Sequence, residues 1–239
     1  MSIAQHKGNP FGIKVTDSLS MLEAIKTCGI IPFFENPVTG FSIEEMTPPG
    51  SWFTDEDLGP WDWKVDVVQS GEIAYGKFLC GGKAAFATVE WYAHLHNWRL
   101  SQARYQPDEA GRKVLALLEE NGSVGSKEIR TLLGVKKAAA DGVVTRLSHC
   151  TRLLIGDIQR VYRGPTLKYS GWQTCSFCTP EALFGAEDSG PVFGGFSPFN
   201  AENPLEVGCS PEESYATLLD HLRKFLPEAP EKDIRRMLE

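Results

Sequence analysis

The sequence predicts an α+β fold, mainly helical with small β-hairpins, and three observations lead there. Ala140, Val143, Val144 and Leu147 fall at i, i+3, i+4 and i+7, the stripe that a helix buries. After Cys150 the character changes to "RLLIGDIQRVYRGPTLKYSGWQTCSFC", β-branched and aromatic runs with a turn at Gly164 and Pro165. An order of helices followed by a hairpin also occurs twice along the chain, which predicts tandem winged-helix domains with a C-terminal helical extension. The expected organisation is an arm over 1–16, a winged-helix-like domain over 17–104, a basic winged-helix domain over 105–185, and a loop with helical extension over 186–239.

In the first domain, "DSLSMLEAIKTCG" reads as an amphipathic helix and "SIEEM" as a short one. Pro60 suits the first turn of the next helix, which places Trp61, Val65 and Val68 on one side. "EIAYGKFL" and "KAAFAT" form a hairpin around Gly81 and Gly82, and "VEWYAHLHNWR" closes the domain as a helix. In the second domain, Pro107 and Asp108 open a helix with Val114, Leu115, Leu117 and Leu118, which "ENG" ends. Ser126 is the expected N-cap of a helix carrying Ile129, Leu132 and Leu133, and Gly134 fits the left-handed position past its end. "GVKKAAADGVVTRLSHC" is then the third helix, followed by the second hairpin. Beyond it, "TPEALFG" is a short helix and residues 186–209 read as a long surface loop. Ser210 before Pro211, Glu212 and Glu213 starts a helix with the stripe Leu218, Leu219, Leu222 and Phe225, and "PEKDIRRMLE" adds a last one. The expected place of this extension is against the second domain.

Charge is unevenly spread. The chain carries a net −7, yet residues 98–171 hold 13 Lys and Arg against 7 Asp and Glu. A basic module between acidic flanks fits a nucleic-acid partner, since phosphate binding depends on clustered cations. In a winged helix the third helix enters the major groove and the wing touches the backbone or minor groove. The candidate contacts are therefore Lys136, Lys137, Thr145, Arg146 and His149 on the third helix and Arg160, Arg163 and Lys168 around the wing. A solvated charged face on a protein-interaction scaffold is the alternative. The third helix offers only Arg146 for reading base edges, so sequence specificity should be low. Gly142 in mid-helix suggests close approach by another segment.

The remaining candidates are weaker. Trp52 and Phe53 are the least regularly spaced aromatics, hence possible stacking partners for unpaired bases. Cys175 and Cys178 have the spacing of half a zinc site but no second pair, and ordinary buried thiols are the better reading. His94 and His96, two apart on a helix, face away from each other, so a shared metal would need Glu90 with His94 plus remote ligands, and a packed or exposed histidine pair is the better reading. The acidic run Asp55, Glu56, Asp57, Asp62 and Asp66 suits a helix start better than a two-metal site. No metal or other cofactor is expected. With no apolar run of about 18 residues and no secretory pattern, the expected setting is the cytoplasm, with reduced cysteines and no membrane partner.

The stretches "IPFFENPVTGFSIEEMTPPGSWFTDEDLGPWDWK", "GEIAYGKF", "KAAFATVEWY" and "GWQTCSFCTPEALFG" resemble the bacterial AlkZ-related proteins over roughly residues 20–185. More distantly they resemble the AlkZ and YcaQ type of DNA glycosylases, in which tandem winged helices form a cleft around DNA. That resemblance implies a DNA-related scaffold, with a DNA-repair enzyme acting on alkylated bases as the alternative to a binder. The glycosylases position water with a Gln-apolar-Gln or Gln-apolar-Asp motif, and the first hundred residues contain none: Gln69 is followed by Ser70 and Gly71. Gln106, Pro107 and Asp108 match literally but lie in the basic linker that leads into the helices of the middle module, outside the family's position. No catalytic residue is assigned. Binding of duplex DNA is the expected function.

Overall fold

The computed structural model describes residues 12–54, 57–185 and 203–239. Over them the protein is α+β, with ten α-helices and two three-stranded antiparallel sheets. The first unit runs α1 (Ser18–Cys28), β1 (Ile30–Pro32), α2 (Ile43–Met46), α3 (Pro60–Gln69), β2 (Ile73–Leu79), β3 (Lys83–Thr88). Helix α4 (Val89–Ser101) and a 3-10 turn at Ala103–Tyr105 lead to the second unit: α5 (Glu109–Asn121), β4 (Ser123–Gly125), α6 (Ser126–Leu133), α7 (Lys137–His149), β5 (Leu154–Arg163), β6 (Lys168–Cys178). Both units share one element order, and in each sheet the third strand lies between the first and second. The sequence reading missed β1 and β4. Three residues are too few to show a period, and each is a strand only because a hairpin offers it an edge.

Local chemistry explains most boundaries. Asp17 and Ser20 form a capping box at α1, and Asp108 accepts the Gly111 amide at α5. The N-cap of α6 is Gly125 and not Ser126, which is its first helical residue and makes no cap bond; Gly134 ends that helix in the left-handed region, as expected. On α7 the stripe is mostly as read: Ala140, Val143 and Leu147 are buried and Val144 is half-buried.

The larger core belongs to the first unit but takes in Leu154, Ile158 and Cys178 from the base of the second hairpin. A smaller core joins Val114, Leu118, Ile129, Val143, Leu147 and Phe177. Helix α8 (Pro180–Phe184) follows β6, and α9 (Pro211–Phe225) and α10 (Glu231–Leu238) form the extension. That extension packs on α4, contrary to the expectation that it covers the second unit. Aromatic faces decide this: Trp98 stacks on Tyr215 at 4.2 Å and Trp91 on His221 at 3.8 Å. Most of the expected loop, residues 186–202, lies outside the described residues, as does most of the N-terminal arm. No helix among the described residues is long and apolar enough to cross a membrane.

Candidate nucleic-acid interface

The two units exchange contacts, the third helix of each packing in its own core and also meeting the hairpin of the other. Helix α3 lies under the hairpin β5–β6, where Trp61 Nε1 donates to the Gly171 carbonyl at 3.0 Å and Gln69 donates to that of Ile158 at 2.8 Å. Helix α7 lies against β2, where the Lys77 amide donates to Ser148 Oγ at 2.7 Å. The backbone comes this close because Gly76 and Gly82 lack side chains: a Cβ would stand 2.7 Å from Ser148 Oγ and 3.0 Å from Thr145 Cγ2, respectively. The close approach expected at α7 therefore occurs at Thr145 and Ser148. At Gly142 itself, a Cβ would meet the Arg146 guanidinium of its own helix at 3.7 Å and no side chain of another element among the described residues.

This exchange settles what each proposed contact residue touches. Arg160 points at α3, where Asp62 and Asp66 hold its guanidinium and raise its already high pKa. Thr145 accepts from Lys77 Nζ at 3.2 Å. Lys137 is paired with Asp141 at 2.6 Å and Arg146 with Asp108 at 3.1 Å, both on the surface. His149 Nε2 is 2.6 Å from the Glu239 carbonyl, and burial together with the Arg99 charge holds its pKa below the ordinary histidine value. Lys136, Arg163 and Lys168 are exposed with no carboxylate in reach among the described residues.

The hairpin has two faces because alternate side chains point opposite ways. Arg160, Tyr169, Gly171 and Gln173 turn toward α3, while Lys168, Ser170 and Trp172 turn out. Arg163, opposite Lys168 in the ladder, lies over the Trp172 ring at 4.9 Å. Three large apolar side chains are exposed on this hairpin: Tyr162, Leu167 and Trp172, at 55%, 69% and 59%. Sequence reasoning missed them, although the alternation of Lys168, Ser170 and Trp172 with Tyr169, Gly171 and Gln173 is the signal that separates the faces. Leu167 sits at the turn with φ of 48°, an uncommon conformation for a branched side chain.

Under the hairpin lies a polar network. Tyr169 donates to Asp62 at 2.9 Å, and Gln173 donates to Tyr169 at 2.9 Å and to the Trp61 carbonyl at 3.1 Å. Lys64, only 3% exposed, donates to the Trp61 carbonyl and to Gln173 Oε1, with its Nζ 3.6 Å above the Trp61 ring. Burial lowers its pKa to about 8.

Of the weaker candidates, Trp52 is half-buried against Phe33 and Phe34, whereas Phe53 is 60% exposed with φ of 52°. Cys178 is buried and Cys175 half-buried; neither forms a disulfide, and the Cys178 thiol is pushed up to about 12 by burial. His94 contacts Ser214, and His96 the Thr151 carbonyl and Glu181. Among the described residues no three His, Cys, Asp or Glu side chains cluster to hold a metal ion. Asp55 and Glu56 lie outside those residues. Gln106 donates to the Leu100 carbonyl and Asp108 caps α5, so both are committed to local structure.

A family model described as AlkZ related matches residues 15–239. No curated protein and no solved structure matches.

Proposed function

The chain belongs to the AlkZ-related family, and from that premise we propose that it binds duplex DNA with low sequence specificity, each unit being a winged helix and β5–β6 the wing that makes contact. The observation that carries the proposal is the hairpin tip. Arg163 and Lys168, with no carboxylate in reach among the described residues, share the outward face with the exposed Trp172, and the exposed Leu167 lies at the turn beside them. Cations there suit phosphates, and apolar side chains suit the groove floor or a base step.

Lys136, exposed and without a carboxylate partner among the described residues, adds a cation at the start of α7. The helix itself contributes little to base reading, since Arg146, Lys137 and Thr145 are engaged within the chain. Arg160 acts by fixing the hairpin on α3.

The test is anisotropy of a labelled duplex titrated at several salt concentrations. Affinity should fall linearly in log–log form, and Arg163→Gln and Lys168→Gln should each reduce the slope by about 1. An affinity unchanged between about 50 and 200 mM salt, where counterion release predicts a steep loss, refutes the proposal.

A further inference from the structure

Between α3, β2, α6, α7 and the inner face of the second sheet lies a cleft of about 750 Å³, within the size range of small-molecule sites. Its apolar walls include Trp61, Ile155 and Phe177. Lys64 covers one face of the Trp61 indole, so anything entering the cleft meets the other face or the edge. Lys77 and Lys127 line the same space with no carboxylate partner among the described residues, and Arg130 lines it with a buried Nε that has no acceptor. Such an N–H is costly to leave unmade. Glu128 and Asp141 are the acids present; Asp141 is already paired with Lys137, and the Glu128 carboxylate lies at the Gly125 helix start. Flat apolar walls beside cations in a recess, where low dielectric strengthens attraction, select a planar ring that carries a negative charge.

We propose that this cleft binds a nucleoside monophosphate, its ring against Trp61 and its phosphate at Lys77, Lys127 and Arg130. The same chemistry is offered by a free nucleotide and by the phosphorylated end of a strand. The Ser126 hydroxyl, unpartnered among the described residues, lines the same space and can meet the polar edge of the ring or sugar.

Cys175 lines the cleft and supplies a reporter. The full chain is alkylated with iodoacetamide and each cysteine is followed by peptide mass spectrometry, without ligand and with adenosine monophosphate, adenosine, inorganic phosphate or a 5′-phosphorylated single strand. Adenosine monophosphate, the strand or both should slow Cys175, leaving Cys80 and Cys209 unaffected, and whichever acts identifies the source. Calorimetry should show binding weakened about tenfold by Lys127→Gln and by Lys77→Met, the loss of about one charge-assisted contact. Adenosine or phosphate alone acting as well as the nucleotide, Cys175 alkylating at an unchanged rate, or both variants binding normally would each overturn the site. Arg163→Gln and Lys168→Gln should leave the protection of Cys175 intact, so failure at the hairpin and failure at the cleft are told apart.

Discussion

Arg160 on β5 donates from Nε to Asp62 Oδ1 on α3 at 2.8 Å, across the junction of the two units. Both side chains are only about a quarter exposed, at 23% and 24%, and a second contact reaches Asp66 at 2.9 Å. A fork bound by two carboxylates in this setting is far from a solvated surface pair. Arg160→Gln and Asp62→Asn should each lower unfolding stability, and a double-mutant cycle should give a coupling of about 1.5–3 kcal/mol, the range for hydrogen bonds to charged groups. A coupling near zero by urea unfolding would show that the hairpin is held on α3 by its apolar contacts alone.

Gly76 tests the other half of the exchange. Its missing Cβ would meet Ser148 Oγ at 2.7 Å, and that oxygen already accepts the Lys77 amide. Gly76→Ala should therefore cost about 1–3 kcal/mol, as overpacking of a tight contact does. Adding Ser148→Gly should recover part of the loss by making room. If Gly76→Ala is as stable as the parent, α7 and β2 are not tightly docked.

The helices were legible because Leu, Val and Ala recur at helical spacing between identifiable caps, as at Asp108 and Gly134. The second hairpin was legible from its β-branched runs and the Gly164–Pro165 turn. What the sequence could not show was contact between elements distant along the chain. Arg160 and Lys168 look alike in a list of wing cations, yet one faces α3 and the other faces solvent, and only the twist and bulges of β5–β6 decide which. The same holds for the extension, whose apolar stripe on α9 is evident while its partner, α4, is chosen by the fit of Tyr215 to Trp98 and His221 to Trp91. The cleft escaped notice for that reason too: Trp61, Lys77, Lys127 and Cys175 come from four separate elements.

Lys64 should make stability depend on alkaline pH with a definite sign. Its folded pKa is about 8, against 10.5 for the ordinary side chain, because burial disfavours the charged form. Between those values the unfolded chain binds the extra proton, so this contribution to stability rises with pH. Below pH 8 both states are protonated and the penalty is constant. The thiols of Cys28 and Cys178, pushed up to about 12 by burial, act in the opposite direction as they ionise in the unfolded chain. The comparison is therefore made with Lys64→Met. Urea unfolding at pH 7.5 and pH 10 should show the parent gaining about 2 kcal/mol relative to the variant, at 1.36 kcal/mol per pKa unit. An unchanged gap would mean that the network of Trp61 and Gln173 keeps the ammonium as well solvated as water does.

Leu167 separates binding from folding. It holds φ of 48° at a hairpin turn and leaves 69% of its surface in water, so the folded state gains little from its side chain and bears backbone strain of about 1 kcal/mol. Leu167→Gly removes both the strain and the apolar surface. If the tip meets DNA as proposed, the variant should unfold at an equal or higher temperature and yet bind duplex several-fold more weakly, with the salt slope unchanged because no cation is lost. Leu167→Asn, which also tolerates the left-handed region, should behave the same way. A variant that gains stability and keeps full affinity would show that the exposed leucine has no place in the interface, and would leave Arg163, Lys168 and Trp172 to account for binding.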